Sequence, residues 1–188
     1  MFTVRKTHNL IFMKFIYTTL IIFSAFFNTY SQSKATIAMS INQVKKIYPN
    51  MESATYEKTI TLSRTENLYG IEGEWGYRFK NDTLNWIHFD KYIDEINDTN
   101  FRNCLSATRK IIADFTKVYG NPDTTITGDT SFIDPYQKKH WGYDVIEAQW
   151  KNYNGMKIKV EFTFMGGKGE YHFLVKINYF DKNYPYYD

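Results

Sequence analysis

The sequence is poor in cysteine, because a chain of 188 residues contains only Cys104. A single cysteine cannot form an intrachain disulfide, so the fold must be stabilised by its hydrophobic core. Zinc sites built from several cysteines are excluded for the same reason. Cys104 falls on the apolar stripe of a predicted helix, where we expect a small buried side chain and not a reactive thiol.

The sequence also lacks an apolar run long enough to cross a membrane. The apolar run at 15–27 follows three basic residues, and it is well short of the about 20 residues that a spanning helix needs. A basic segment, a short apolar segment and small residues after it are typical of a secretory signal. We therefore predict a signal peptide over 1–31, with Met1 or Met13 as the start, and an uncleaved anchor as the alternative. The rest of the chain is then secreted or periplasmic, with no stable membrane insertion after cleavage.

An excess of one charge is missing too. The predicted signal holds three of the 23 basic residues and none of the 20 acidic ones, so residues 32–188 have no formal net charge. A neutral surface of mixed charges gives no reason to expect nucleic acid or anionic lipid as a partner. The length of 32–188 suits a single domain with a substantial core.

Motifs of common catalytic and metal sites are absent from 32–188. His88, His140 and His172 do not have the spacing of zinc ligands, and there is no Gly-x-Ser-x-Gly motif or phosphate-binding glycine loop. His88 and Asp90 would share one strand face and could form an acid–base pair, but no neighbouring residue completes a site. We therefore predict no metal, no cofactor and no catalysis.

What the sequence does contain is two helical patterns and six strand patterns. Ser40, with Gln43 three residues later, matches a capping box before a short helix that Pro49 ends. Apolar side chains that recur every three or four residues predict a long helix over 101–119. Alternation of apolar and polar residues predicts strands over 55–64, 68–79, 83–90, 140–151, 156–164 and 171–179.

This pattern predicts an α+β fold in the order αβββαβββ. It would have two layers, an antiparallel sheet of about six strands with the helices on one face. Similarity between 44–49 and 115–120 indicates an internal duplication. In the register that best pairs the apolar residues of the last two strands, Lys159 lies directly opposite Lys176.

The first helix begins with Met39-Ser40-x-x-Gln43-Val44, and the second ends with Tyr119-Gly120-Asn121-Pro122. With these motifs and its order of elements, the chain resembles the secreted β-lactamase-inhibitor-protein-like modules over about 36–181. It is similar also to the small outer-membrane-assembly lipoproteins of the OmlA/SmpA type. The resemblance implies a binding module that uses an open sheet face, without catalysis.

The polar face of the predicted sheet is the first candidate binding site. Its candidate residues are Glu72, Glu74, Arg78, Lys159, Glu161, His172 and Lys176. Because two lysines directly opposite each other are unfavourable, an acidic group on the partner would stabilise them. The irregular segment 121–139 is the second candidate site, since long loops in compact domains are usually functional or mobile.

We therefore predict an exported, non-enzymatic interaction module whose partner is a protein or an envelope component. One alternative is a small secreted hydrolase that acts on cell-envelope polymers, for which the paired Glu72 and Glu74 would need a further group across a cleft. Another is a carbohydrate-binding module with exposed tryptophans, although most tryptophans here are expected in the core.

Overall fold

The computed structural model describes residues 33–132, 142–167 and 170–181, which include two helices and eight strands. Their order is α1 (Ile41–Ile47), β1 (Glu52–Tyr56), β2 (Thr59–Leu68), β3 (Ile71–Lys80), β4 (Thr83–Ile93), α2 (Asp98–Tyr119), β5 (Thr124–Thr127), β6 (Gly142–Tyr153), β7 (Met156–Gly167) and β8 (Glu170–Asp181). The predicted signal peptide lies outside the described residues.

The strands form one antiparallel sheet in the order β1-β2-β3-β4-β8-β7-β6-β5. The prediction of an antiparallel sheet is confirmed. The predicted α+β class, with two layers, about six strands and helices on one face, is wrong: strands make up 55% of the structure, and their number is eight. The order of elements is αββββαββββ. The two strands that the sequence did not indicate, β1 and β5, are the edges of the sheet. Neither buries a face, so neither shows apolar alternation.

The two halves of the chain have the same order of elements, a helix followed by four strands. The last strand of each half, β4 and β8, pair with each other in the middle of the sheet. This order agrees with an internal duplication, which stays a prediction.

The long helix α2 packs on the sheet through the stripe that its spacing predicts. Phe101 packs against Phe162 and Phe173, with ring centroids 5.4 and 5.8 Å away. Phe115 lies 5.9 Å from the rings of both Trp150 and Tyr179. The sheet face that these residues cover is called the apolar face below, and the opposite one the polar face.

The ends of α2 are set by local hydrogen bonds. The backbone N–H of Asn100 donates to Oδ1 of Asn97 at 2.8 Å, so the helix begins three residues before the apolar stripe does. Gly120 ends it with a φ of 80°, which favours glycine. Cys104 is fully buried within the stripe, and burial raises the pKa of its thiol to about 12.

The capping box of α1 is confirmed. Oγ of Ser40 accepts a hydrogen bond from the Gln43 backbone, and Oε1 of Gln43 accepts one from the Ser40 backbone at 2.8 Å. Ala38, just before the cap, has a φ of 76°, a conformation in which its Cβ is strained. Its N–H donates to the carbonyl of Leu84 at the start of β4, which holds this segment on the sheet.

The register of β7 and β8 differs from the predicted one by two residues. Glu161 lies opposite Lys176, and Lys159 lies opposite Asn178. The sequence predicts a connecting loop at Gly166, Gly167 and Gly169, but β7 continues to Gly167 and β8 begins at Glu170. Residues 168–169 lie outside the described residues. A two-residue shift leaves every side chain on its predicted face, but it changes every cross-strand pair.

In the sequence, apolar alternation over 83–90 changes phase between Trp86 and Ile87, which predicts a bulge, and β4 contains one. Phe79 pairs with Leu84 and Arg78 pairs with Trp86, so Asn85 is the extra residue of a bulge. The predicted position was one residue further on. Beyond the bulge, Trp86, His88 and Asp90 all point to the polar face.

Candidate functional site

Three rows of side chains cross the centre of the polar face, as the strand registers place them. The charged row consists of Glu74, Asp90, Lys176, Glu161 and Glu147. The middle row consists of Gly76, His88, Asn178, Lys159 and Gln149. The aromatic row consists of Arg78, Trp86, Phe180 and Lys157.

Lys159 joins two carboxylates of the charged row. Its Nζ lies 2.8 Å from Glu147 and 2.7 Å from Glu161. Both carboxylates are almost out of water, with 2% of Glu147 and 7% of Glu161 exposed. Burial by itself lowers the pKa of Lys159, but the two carboxylates outweigh it and raise this pKa above its usual value. Burial raises the pKa of Glu161, and Lys159 opposes this rise only in part. Lys159 is therefore held in a buried ion pair and is not a solvated charge.

Lys176 also lies among carboxylates. Glu161 is directly opposite it on β7, and its Nζ is 3.8 Å from Oδ1 of Asp90 on β4. The predicted pairing of Lys159 with Lys176 is thus wrong, because the register that it required is not the one formed. The reason to expect an acidic group of a partner at these lysines disappears with it.

His88 and Asp90 form the acid–base pair that the sequence allowed. Nδ1 of His88 lies 2.7 Å from Oδ2 of Asp90. The imidazole lies across Gly76 on the neighbouring strand, where a Cβ would be only 2.2 Å from Nε2. The ring of Trp86 covers it, with centroids 4.6 Å apart. Among the described residues, no hydrogen bond joins a serine, threonine or cysteine side chain to this pair.

Trp86 is enclosed between neighbours on both adjacent strands. The guanidinium carbon of Arg78 is 4.4 Å from its ring on the β3 side, and Phe180 stacks at 5.8 Å on the β8 side. Its ring is therefore not an open platform for a sugar. Trp75 and Trp150 are buried in the core, as expected, and Trp141 lies outside the described residues.

Three buried polar groups near Trp86 have no hydrogen-bond partner in the described ranges. Nε1 of Trp86, which can only donate, lies 3.1 Å from Oδ1 of Asn178, so the Nδ2 group of Asn178 points elsewhere and is unsatisfied. Nε of Arg78 and Oδ1 of Asp90 are unsatisfied as well. Each such group costs about 1–3 kcal/mol of stability. Nε1 of Trp75 in the core and Oδ1 of Asn85 are unsatisfied as well, so this feature is not confined to the centre of the polar face.

The other predicted site residues lie at one corner of the polar face. Glu72 and Glu74 are exposed on β3. The ring of His172 stands edge-on to Tyr92, with centroids 5.3 Å apart. The structure thus brings Arg78, Lys159, Glu161 and Lys176 together at the centre, and it leaves Glu72, Glu74 and His172 towards the corner.

Sequence reasoning placed Asn178 on this face but missed Glu147, Trp86 and Tyr92. Glu147 could have been found, because apolar alternation over 140–151 shifts phase to Ile146, Ala148 and Trp150, which turns Glu147 to the polar side. Asp144, Glu147 and Glu161 also come close enough together to hold a cation. Lys159 supplies the positive charge there, and Oγ1 of Thr163 donates to Asp144 at 2.9 Å.

The second candidate site, 121–139, is only partly described. Its first part is an edge of the sheet: β5 pairs with β6, and Oδ2 of Asp123 accepts a hydrogen bond from the Lys151 backbone at 2.7 Å. Gly128 also donates to the carbonyl of Val145 at 3.0 Å. The prediction of an irregular loop is therefore wrong for 124–127, and residues 133–139 lie outside the described residues.

No protein-family model, curated protein or solved structure matched this chain. The resemblance to β-lactamase-inhibitor-protein-like modules and to lipoproteins of the OmlA/SmpA type accordingly stays a prediction. In the described ranges, neither helix combines the length and the apolar character needed to span a membrane.

Proposed function

We propose that this chain is an exported, non-enzymatic binding module that receives a protein or another envelope component on its polar sheet face. The observation that supports this most is the ion-pair cluster of Lys159 with Glu147 and Glu161, which holds charged groups largely out of water on this face.

The free-energy cost of burying these charges is the reason they support the proposal. A sheet face that serves only as a solvated surface keeps its charged groups in water, where they cost little. Glu147 and Glu161 are instead buried, which costs desolvation free energy that Lys159 only partly returns. A rigid, partly dry polar surface of this kind favours specific recognition of one partner.

Arg78 provides the test, because it contacts Trp86 in the aromatic row and is only partly buried. The tagged full chain is used to capture partners from envelope extracts, which are then identified by mass spectrometry. Arg78→Ala and Lys176→Ala should each lose the captured partner. Lys58→Ala, in the exposed turn between β1 and β2, should keep it. If both face variants retain the partner and changes at β5 lose it, the edge of the sheet is the binding site instead.

The contact of 2.7 Å between His88 and Asp90 favours the small secreted hydrolase as the second candidate. An imidazole that a carboxylate orients is the usual arrangement of a general base. This candidate requires hydrolysis of a cell-envelope polymer by the purified chain, and loss of that hydrolysis in His88→Ala. If purified wild-type chain hydrolyses none of these polymers, the candidate is excluded for them.

A further inference from the structure

We infer that the partner presents a basic side chain, lysine or arginine, to an acidic and aromatic patch at the corner of the polar face. The patch consists of Glu72, Glu74 and Tyr92. This inference rests on the proposed function, and it adds the chemistry by which the partner is recognised.

Each of the carboxylates of Glu147, Glu161 and Asp90 at the centre of the face has a lysine beside it. Lys159 binds Glu147 and Glu161, and Lys176 lies between Glu161 and Asp90. By contrast, Glu72 and Glu74 have no ion pair or hydrogen bond to any described residue. The uncompensated charge at this corner of the face is therefore negative, and a partner with a positive group complements it.

Strand register makes this negative corner unfavourable in the unbound chain. Glu74 lies directly opposite Asp90, and like charges opposite each other destabilise a sheet. Glu72 and Tyr92 lie two residues beyond this last pair on the same two strands, and strand alternation places them on the same face. A cation placed between these strands stabilises the carboxylates of Glu72 and Glu74.

Tyr92 gives the patch a second feature that suits a basic side chain. Its side chain is 52% exposed, and its ring is held edge-on by His172. An exposed aromatic ring beside carboxylates can contact a lysine or arginine by cation–π attraction while the carboxylates pair with the charge. Tyrosine is also among the residues that contribute most to protein interfaces.

The sign of this charge excludes an acidic group of the partner at the same place. A carboxylate near Glu72 and Glu74 would add a third negative charge to two that already lack compensation. The acidic partner group expected from the sequence required two facing lysines, and the observed register separates them. The basic partner group follows from that register.

Two labelled peptides provide the test, one of alternating lysine and serine and one of alternating glutamate and serine. Their binding to the full chain is measured by fluorescence anisotropy at low and at high salt. The lysine peptide should bind and the glutamate peptide should not, and high salt should weaken the binding. Glu74→Lys should weaken it about tenfold, and Tyr92→Ala, which changes no charge, about fivefold.

Glu57→Lys is the matched control, because it makes the same charge change in the exposed turn between β1 and β2. It should change the affinity less than about twofold. Equal weakening by Glu57→Lys and Glu74→Lys, or preference for the glutamate peptide, overturns the inference. If envelope capture is lost in Arg78→Ala but kept in Glu74→Lys, this inference fails while the proposed function stands.

Discussion

Glu161 of β7 lies directly opposite Lys176 of β8, and the same carboxylate pairs with Lys159 on its own strand at 2.7 Å. One buried acid thus lies beside two lysines, and Glu147 compensates the first of them from β6. This arrangement exists in only one register of β7 and β8. The register is therefore the feature on which the chemistry of the polar face depends.

Engineered disulfides test the register. Residues directly opposite each other in an antiparallel pair have Cα atoms about 4.5–5.5 Å apart, within the range that a disulfide spans. Glu161→Cys combined with Lys176→Cys should cross-link on mild oxidation. Lys159→Cys combined with Lys176→Cys should not, because that pair is diagonal. Mass spectrometry of the oxidised chains distinguishes the two variants, and efficient cross-linking of the second pair would contradict the register.

Apolar alternation could predict β3, β6, β7 and β8 and the face to which each residue points. It could not fix the pairing of Lys159, because a shift of two residues keeps all apolar side chains in the core. The edge strands β1 and β5 were missed since they bury no face. The ion pairs of the polar face depend on neighbours from different strands, so apolar alternation does not indicate them.

Gly76→Ala should displace the imidazole of His88. The added Cβ would lie 2.2 Å from Nε2, so the ring must leave Asp90 or the strands must move apart. We expect destabilisation of about 1–3 kcal/mol in denaturant unfolding. Combined with His88→Ala, the same change should cost clearly less than the sum of the two single variants. If the destabilisation of the double variant equals the sum of the two single ones, the Cβ of Gly76→Ala does not clash with the imidazole of His88.

Ala38→Gly should stabilise the chain. Ala38 has a φ of 76°, in which a Cβ is strained by about 1–2 kcal/mol, and glycine removes that strain. Glycine also gives the unfolded chain more conformational freedom, which offsets part of this gain. The net increase in the free energy of unfolding should be about 0.5–1 kcal/mol. An increase in the midpoint of thermal unfolding checks this, and a decrease would contradict it.

Cys104 should be unreactive in the folded chain. It is fully buried, and burial raises the pKa of its thiol to about 12, so almost no thiolate exists near neutral pH. A thiol reagent should label it only after unfolding in denaturant. Because the pKa is raised in the folded state, the contribution of Cys104 to stability is complete below the thiol's ordinary pKa. This contribution is lost as pH rises from the ordinary thiol pKa towards 12. Over that pH range the free energy of unfolding should fall less for Cys104→Ser than for the wild-type chain.

Photo-cross-linking in cells tests most directly whether the polar face is the binding surface. A photoreactive amino acid replaces Thr65, which lies opposite Glu74 on the polar face, Ile126 on β5 or Glu57 in the turn between β1 and β2, all of which are exposed. Illumination should give a specific cross-linked species for Thr65 and none for the other two positions. A species formed at Ile126 or Glu57 and not at Thr65 would show that the partner binds elsewhere.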